Sequence, residues 1–327
     1  MTPGMLTIVL GAGLIALALV GPWLLRQAAP ALVRVPRLAI AVLSGGIIIW
    51  LGTLLAIGPV LAWAGSGPAL LPEGAAAVCQ RCLAAANPFS GGTTTDTAIP
   101  AVLLLALPAA LTLALGVGIT RQMMRRVRCS REAARQLLRG AQQRRLHGHG
   151  VSVVEVEHPF ALTFPARHGG IVLSTGAVHA LDDDELAAVL AHEHAHLRQR
   201  HHLVSALVAS VAVFLRWVPL VAAAADALPH YLEIAADNQA RRNAGTPALV
   251  SALVKLGERA HPDLHGQACA EALHAAGPER IRQLVRPSAG LTGAVPAVAI
   301  TAYLVALALV SAAVHLPYAS AALTGCA

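Results

Sequence analysis

The sequence predicts a mainly α, multi-pass membrane protein with four transmembrane helices and one α+β domain set between its third and fourth spans. Three observations predict it. The chain is 56% hydrophobic and only 13% charged, whereas a soluble domain carries about 25% charged residues. Four apolar runs are each long enough to cross a bilayer. Arginines crowd beside those runs, and residues 120–290 switch to strand-like and amphipathic patterns.

The first run covers about residues 5–25. No basic side chain precedes it, so it reads as a retained span rather than a signal peptide. Arg26, Arg34 and Arg37 follow, then a second run over 38–63. Residues 64–97 form a loop rich in Gly, Pro, Ser and Thr, with Arg81 as its only basic residue. The third run, 98–119, leads directly into Arg121, Arg125, Arg126, Arg128, Arg131 and Arg135. A fourth, free of charges, covers 291–314 and leaves a short tail, 315–327. Basic residues favour the cytoplasmic side. Both termini and the 64–97 loop are therefore expected outside, with 26–37 and 120–290 in the cytoplasm.

The net charge of +7 comes from arginine, because Lys255 is the only lysine. Its clustering beside apolar runs points to membrane topology, and an aromatic content of 3% leaves no base-stacking platform, so direct nucleic-acid binding is not expected. Cys79 and Cys82 form a C-x-x-C without a second such pair to complete a zinc site. With Cys326 they are expected outside, where disulfides persist. Cys129 and Cys269 are expected inside and reduced.

Within the central region, Arg121 to Arg145 reads as a basic helix near the membrane surface. Val151 to Val156 alternates like a strand, and Phe160–Phe164 and Ile171–Ser174 suit two more, predicting a small antiparallel sheet. The stretch from Leu181 to His202 is then a helix. Asp182 and Glu185 form a capping pattern, Leu186, Val189, Leu190 and Leu197 an apolar stripe, and Arg198 and Arg200 a basic end. It contains His192-Glu193-His194-Ala195-His196, a match to H-E-x-x-H. Residues four apart share a helix face, so His192 and His196 can reach one metal ion, with Glu193 turned aside to act on a water as general base. That is the chemistry of a zinc hydrolase.

A catalytic zinc takes three protein ligands. His202 stands where an extended histidine pattern puts its third ligand, but that pattern needs glycine at 199 to turn the chain, and Gln199 is there. Glu233 is the better candidate. Asp237 lies on the same helical face, where it would orient a ligating histidine. Glu233 can meet His192 only if the apolar stretch 203–228 leaves and returns on one side of the membrane. It is therefore expected to be a helical hairpin turning near Arg216–Pro219.

At these residues the chain resembles membrane zinc metallopeptidases of gluzincin type. The shared pattern reads Asp184-Glu-Leu-Ala-Ala-Val-Leu-Ala-His-Glu-His-Ala-His196, then Glu233-Ile-Ala-Ala-Asp237. It is similar both to the BlaR/MecR antirepressors and to the HtpX and CAAX prenyl-protease family. Three spans, a cytoplasmic protease domain and a fourth span resemble the antirepressors. The resemblance implies a zincin-like protease domain with one zinc per chain, held by His192, His196 and Glu233, and Glu193 as base. Gly277–Leu284 is similar to the segment that follows the zinc site in these families, which makes Arg280 a candidate substrate or oxyanion contact. The antirepressors carry a penicillin-binding sensor domain after the fourth span. This chain stops at Ala327, and Ala252 stands where an S-x-x-K motif on Lys255 would need serine, so direct β-lactam sensing is not expected.

The sequence-based expectation is a zinc endopeptidase working on the cytoplasmic side. Its partners are the bilayer and a protein or peptide substrate, by resemblance a cytoplasmic transcriptional repressor. The alternatives are an HtpX-like quality-control protease and a non-enzymatic signalling receptor with a zinc site.

Overall fold

A computed structural model describes residues 3–66, 72–87, 95–96, 100–257, 284 and 292–324. The helices are α1 (Pro3–Leu32), α2 (Pro36–Ala64), α3 (Glu73–Ala86), α4 (Ala101–Leu137), α5 (Thr175–Ala180), α6 (Asp183–Arg198), α7 (His201–Leu215), α8 (Pro219–Ala244), α9 (Thr246–Gly257) and α10 (Ala294–Thr324). A two-residue parallel pair, β1 (Gly65–Ser66) and β2 (Thr95–Asp96), follows α2 and precedes α4. The main sheet holds β3 (Gln142–Leu146), β4 (His149–Val154), β5 (Ala161–Thr163) and β6 (Ile171–Ser174).

Four helices, α1, α2, α4 and α10, are long and apolar enough to cross a membrane, the layout of a multi-pass membrane protein. The first two and α10 pack together through Leu14, Leu32, Ile47 and Ile300. Polar atoms pin them. Trp50 Nε1 donates to the Leu14 carbonyl at 3.1 Å, and the Tyr318 hydroxyl to that of Pro59 at 2.8 Å. The apolar part of α4 is more open: none of its residues is fully buried within the chain, although it packs on α2 at Gly58 and on α7 at Phe214. Two expected elements merge here. The third span and the basic helix are one continuous α4, which stops at Leu137 instead of reaching Arg145. Residues 142–146 are strand β3, whose exposed polar side chains show no apolar alternation. Similarly, α10 runs on to Thr324, past the expected end of the fourth span at 314.

The sheet order is β3-β4-β6-β5. It is mixed, which corrects the expected antiparallel sheet: β3/β4 and β5/β6 are antiparallel, but β4 and β6 are parallel. Successive strands reverse direction, and β6 inserts beside β4 instead of beyond β5, so the two run the same way. Both faces of β6 are buried. Ile171 and Leu173 pack with Leu186, Val189 and Leu190 of α6, while Val172 packs with Ala133 and Ala134 of α4. The strand period of two thus clamps the sheet between the C-terminal part of α4 and the motif helix.

The stretch 203–228 is a helical hairpin. The chain reverses at Arg216–Val218, and α8 starts with proline at its first turn. Arg216 Nη2 donates to Asp226 Oδ1 at 2.5 Å across the tip. The hairpin is seated in the span bundle. A Cβ at Gly21 would come within 2.8 Å of Leu220, and one at Gly118 within 2.9 Å of Phe214. The tip brings Leu220 against Gly21, five residues before Arg26 on α1. Trp217 there is 76% exposed, suiting an interfacial aromatic.

Cys79 carries a free thiol, while Cys82 and Cys129 each take part in a disulfide. The C-x-x-C pair therefore does not close on itself. The expectation of a reduced Cys129 is not met; it followed from membrane side alone, not from any contact of that thiol. Cys269 and Cys326 lie outside the described residues.

Candidate metal centre

Helix α6 is anchored at its start. Asp182 Oδ1 accepts from the Glu185 N–H at 2.9 Å, and Glu185 Oε2 accepts from the Asp182 N–H at 2.8 Å, a reciprocal capping box. Glu185 also accepts from Ser251 and Lys255 of α9, each at 2.5 Å. Burial opposes its ionisation, but those donors outweigh it and hold the carboxyl below its ordinary range.

Two turns further, His192 and His196 stand one above the other with Nε2 atoms 3.0 Å apart. The Glu233 carboxylate of α8 closes the group. Its Oε2 lies 3.4 Å from His192 Nε2 and its Oε1 3.5 Å from His196 Nε2. These ligand atoms all lie within 4.8 Å of one another, so the three residues could hold a metal ion. All three are buried, Glu233 completely. Two imidazole nitrogens and one carboxylate are the donor set of a catalytic zinc that keeps a fourth position open. The residues present therefore fit the ion.

Each imidazole has a partner behind it. Asp237 Oδ1 lies 2.9 Å from His192 Nδ1. Burial works against a charge on His192, but Asp237 and Glu233 outweigh it and push its pKa up to about 10. His201 Nδ1 lies 2.9 Å from His196 Nδ1. Burial first, then the nearby His192, pushes His201 down to about 4. Glu193 turns away from the three donors toward β5, where Thr163 Oγ1 meets its Oε2 at 2.5 Å.

Spacing brought out His192, Glu193, His196, Glu233 and Asp237; four of them meet here, and Glu193 lies beside them on α6, facing Thr163. His202 does not join them. It lines a cleft of about 340 Å³ with Arg125 and Arg126 of α4, Thr163 of β5, and Arg167. The helix was expected to run on through His202; instead it ends at Arg198, and Arg200 takes a left-handed conformation, φ 53°. Arg280 lies outside the described residues. Of its segment only Leu284 is described, buried against Ala188, Ala191, Ala240 and Leu249. Thr163 and His201 were not foreseen. A fourth histidine so soon after His192, His194 and His196 was a signal for His201; nothing in the sequence marks Thr163.

Residues 129–236 match the family model described as Peptidase family M48. The match runs from inside α4 through the sheet and α6 to α8, one residue short of Asp237. It implies a metallopeptidase. No match was found among curated proteins or among solved structures.

Proposed function

We propose that this chain is a membrane-embedded, zinc-dependent endopeptidase. The observation that carries the reading is the convergence of His192, His196 and Glu233, with Glu193 held one residue along the same helix by Thr163. A zinc ion there would supply a Lewis acid that polarises a peptide carbonyl and lowers the pKa of water. Glu193 takes the proton from the attacking water on a carboxylate oxygen and hands it to the departing amide nitrogen. Thr163 holds the Glu193 carboxylate in one orientation. Strand β5 is the outer strand on that side of the sheet, and an extended substrate would add to its free edge, running past Thr163 toward Glu193.

The arginines of α4 from 121 to 135 favour the cytoplasmic side for this domain, with both termini outside. The bonded Cys129 pulls the other way, since disulfides persist in oxidising compartments. Labelling decides it. A single cysteine at Asn238, in a background without native cysteines, should react with membrane-permeant maleimide only; reaction with an impermeant reagent on intact cells would reverse the sidedness. By the span order, the substrate is a cytoplasmic transcriptional repressor, as in the BlaR/MecR type. The cleft between α4 and α7, directly beside the bundle, favours a second reading, quality control of membrane proteins.

Purified protein in detergent should cleave casein, and a chelator should abolish this. Glu193→Gln should keep its zinc and lose activity about 10²–10⁴-fold, the size of a general-base contribution. Near-normal proteolysis by Glu193→Gln would overturn the mechanism.

A further inference from the structure

We infer that His201 is a positioning residue for the metal site: its Nδ1 accepts the Nδ1–H of His196 and so holds the His196 ring with Nε2 toward the ion.

The argument starts from which nitrogen faces which neighbour. His196 Nε2 lies 3.0 Å from His192 Nε2 and 3.5 Å from Glu233 Oε1. Nε2 is therefore the atom that faces the donor cluster, and as a ligand it must be free of its proton. A neutral imidazole then carries its proton on Nδ1. The atom facing that proton, at 2.9 Å, is His201 Nδ1. Two N–H groups cannot bond to each other, so His201 must accept. The two rings meet nearly at right angles, 87°, with centroids 4.8 Å apart, so His201 approaches edge-on instead of stacking. At 1% exposure, His201 leaves no room for water to replace it as acceptor.

The backbone is built to make this contact. In an unbroken α-helix, residues five apart point about 140° away from each other, so His201 could not reach His196. Helix α6 stops at Arg198, and Arg200 adopts φ 53°, ψ 39°. Arginine pays a cost in that region, on the order of 1 kcal/mol. The reversal makes His201 the first residue of α7 and returns it beneath the last turn of α6. His192 is thus backed by a carboxylate and His196 by an imidazole. The second backing group is reached through a strained turn, not through helical spacing.

This inference rests on the metal-site reading and not on peptidase activity. The test uses full-length protein in detergent. Zinc affinity is measured by chelator competition, and the visible spectrum is recorded after cobalt substitution. Removing such a partner weakens metal binding about 10–100-fold. His201→Leu fills the space without an acceptor; it should show that loss and shift the cobalt bands. His201→Asn offers an amide oxygen near the Nδ1 position and should restore affinity to within about threefold of wild type, well inside that range. Equal losses in both variants, or wild-type affinity in the leucine variant, would overturn the positioning role. Should the leucine variant not fold, the asparagine variant decides alone: a loss of about tenfold or more sinks the proposal. If the wild-type chain binds no zinc, the metal-site reading itself falls. If it binds zinc and the variants do not differ, only the role of His201 falls.

Discussion

Glu185 of α6 and Glu233 of α8 are both nearly inaccessible carboxylates, and the fold treats them in opposite ways. Around Glu185 stand an ammonium, a hydroxyl and a backbone N–H, all within 2.8 Å. Around Glu233 stand two imidazole nitrogens at 3.4 and 3.5 Å, whose Nε2 atoms also face each other. A buried carboxylate costs free energy unless it is paired. Donors at hydrogen-bond distance meet that cost at Glu185, which therefore joins α6 to α9. At Glu233 the neighbours are the imidazole nitrogens of His192 and His196, and the three residues together could hold a metal ion. One end of α6 is a fastening and the other a receptacle.

The largest effect should come from exchanging the roles of these two glutamates. Glu233→Ala should abolish tight zinc binding, so a chelator that lowers the melting temperature of wild type should leave this variant unmoved. Glu185→Gln should respond to the chelator as wild type does. Equal responses from both variants would erase the contrast. Next in size is Asp237→Ala, which should weaken zinc about 10–100-fold through the lost contact to His192 Nδ1. Metal analysis showing no change would place Asp237 outside the site.

The smallest effect lies at the fastening. Glu185→Gln should cost about 1–2 kcal/mol at neutral pH, kept modest because Lys255 is half-exposed and solvent screens the pair. The folded carboxyl titrates below its ordinary range. Its contribution is therefore complete above the unfolded carboxylate pKa and is lost as pH falls through the folded one. Denaturation curves taken from neutral to acid pH should converge for wild type and Glu185→Gln at the acid end. A constant gap between them would mean that the carboxylate's charge plays no part.

Much of the site could be read before any coordinates because its spacing is helical. His192, Glu193 and His196 follow from one period, Glu233 and Asp237 from another, and the hairpin from the need to bring them together. The parts that escaped depend on tertiary geometry. Strand β3 is Gln142-Gln-Arg-Arg-Leu146, exposed along most of its length, so it has no apolar alternation to betray it. The parallel pairing of β4 with β6 is a choice of neighbour that strand patterns do not encode. Thr163 reaches Glu193 across thirty positions. His201 depends on Arg200 entering a conformation that its residue type does not advertise.

Helix α8 has a place in two bodies at once. Its Leu228, Tyr231, Leu232 and Ile234 lie in the same core as Leu14 of α1 and Ile47 of α2. From the same turns, Glu233 and Asp237 face α6. A cut at the membrane surface would set those apolar side chains in water and withdraw the support from one of the three donors. The chain can be divided on paper into an anchor and an enzyme, but in space they share a wall. The helix that packs on α1 and α2 is thus the same helix that brings Glu233 to α6.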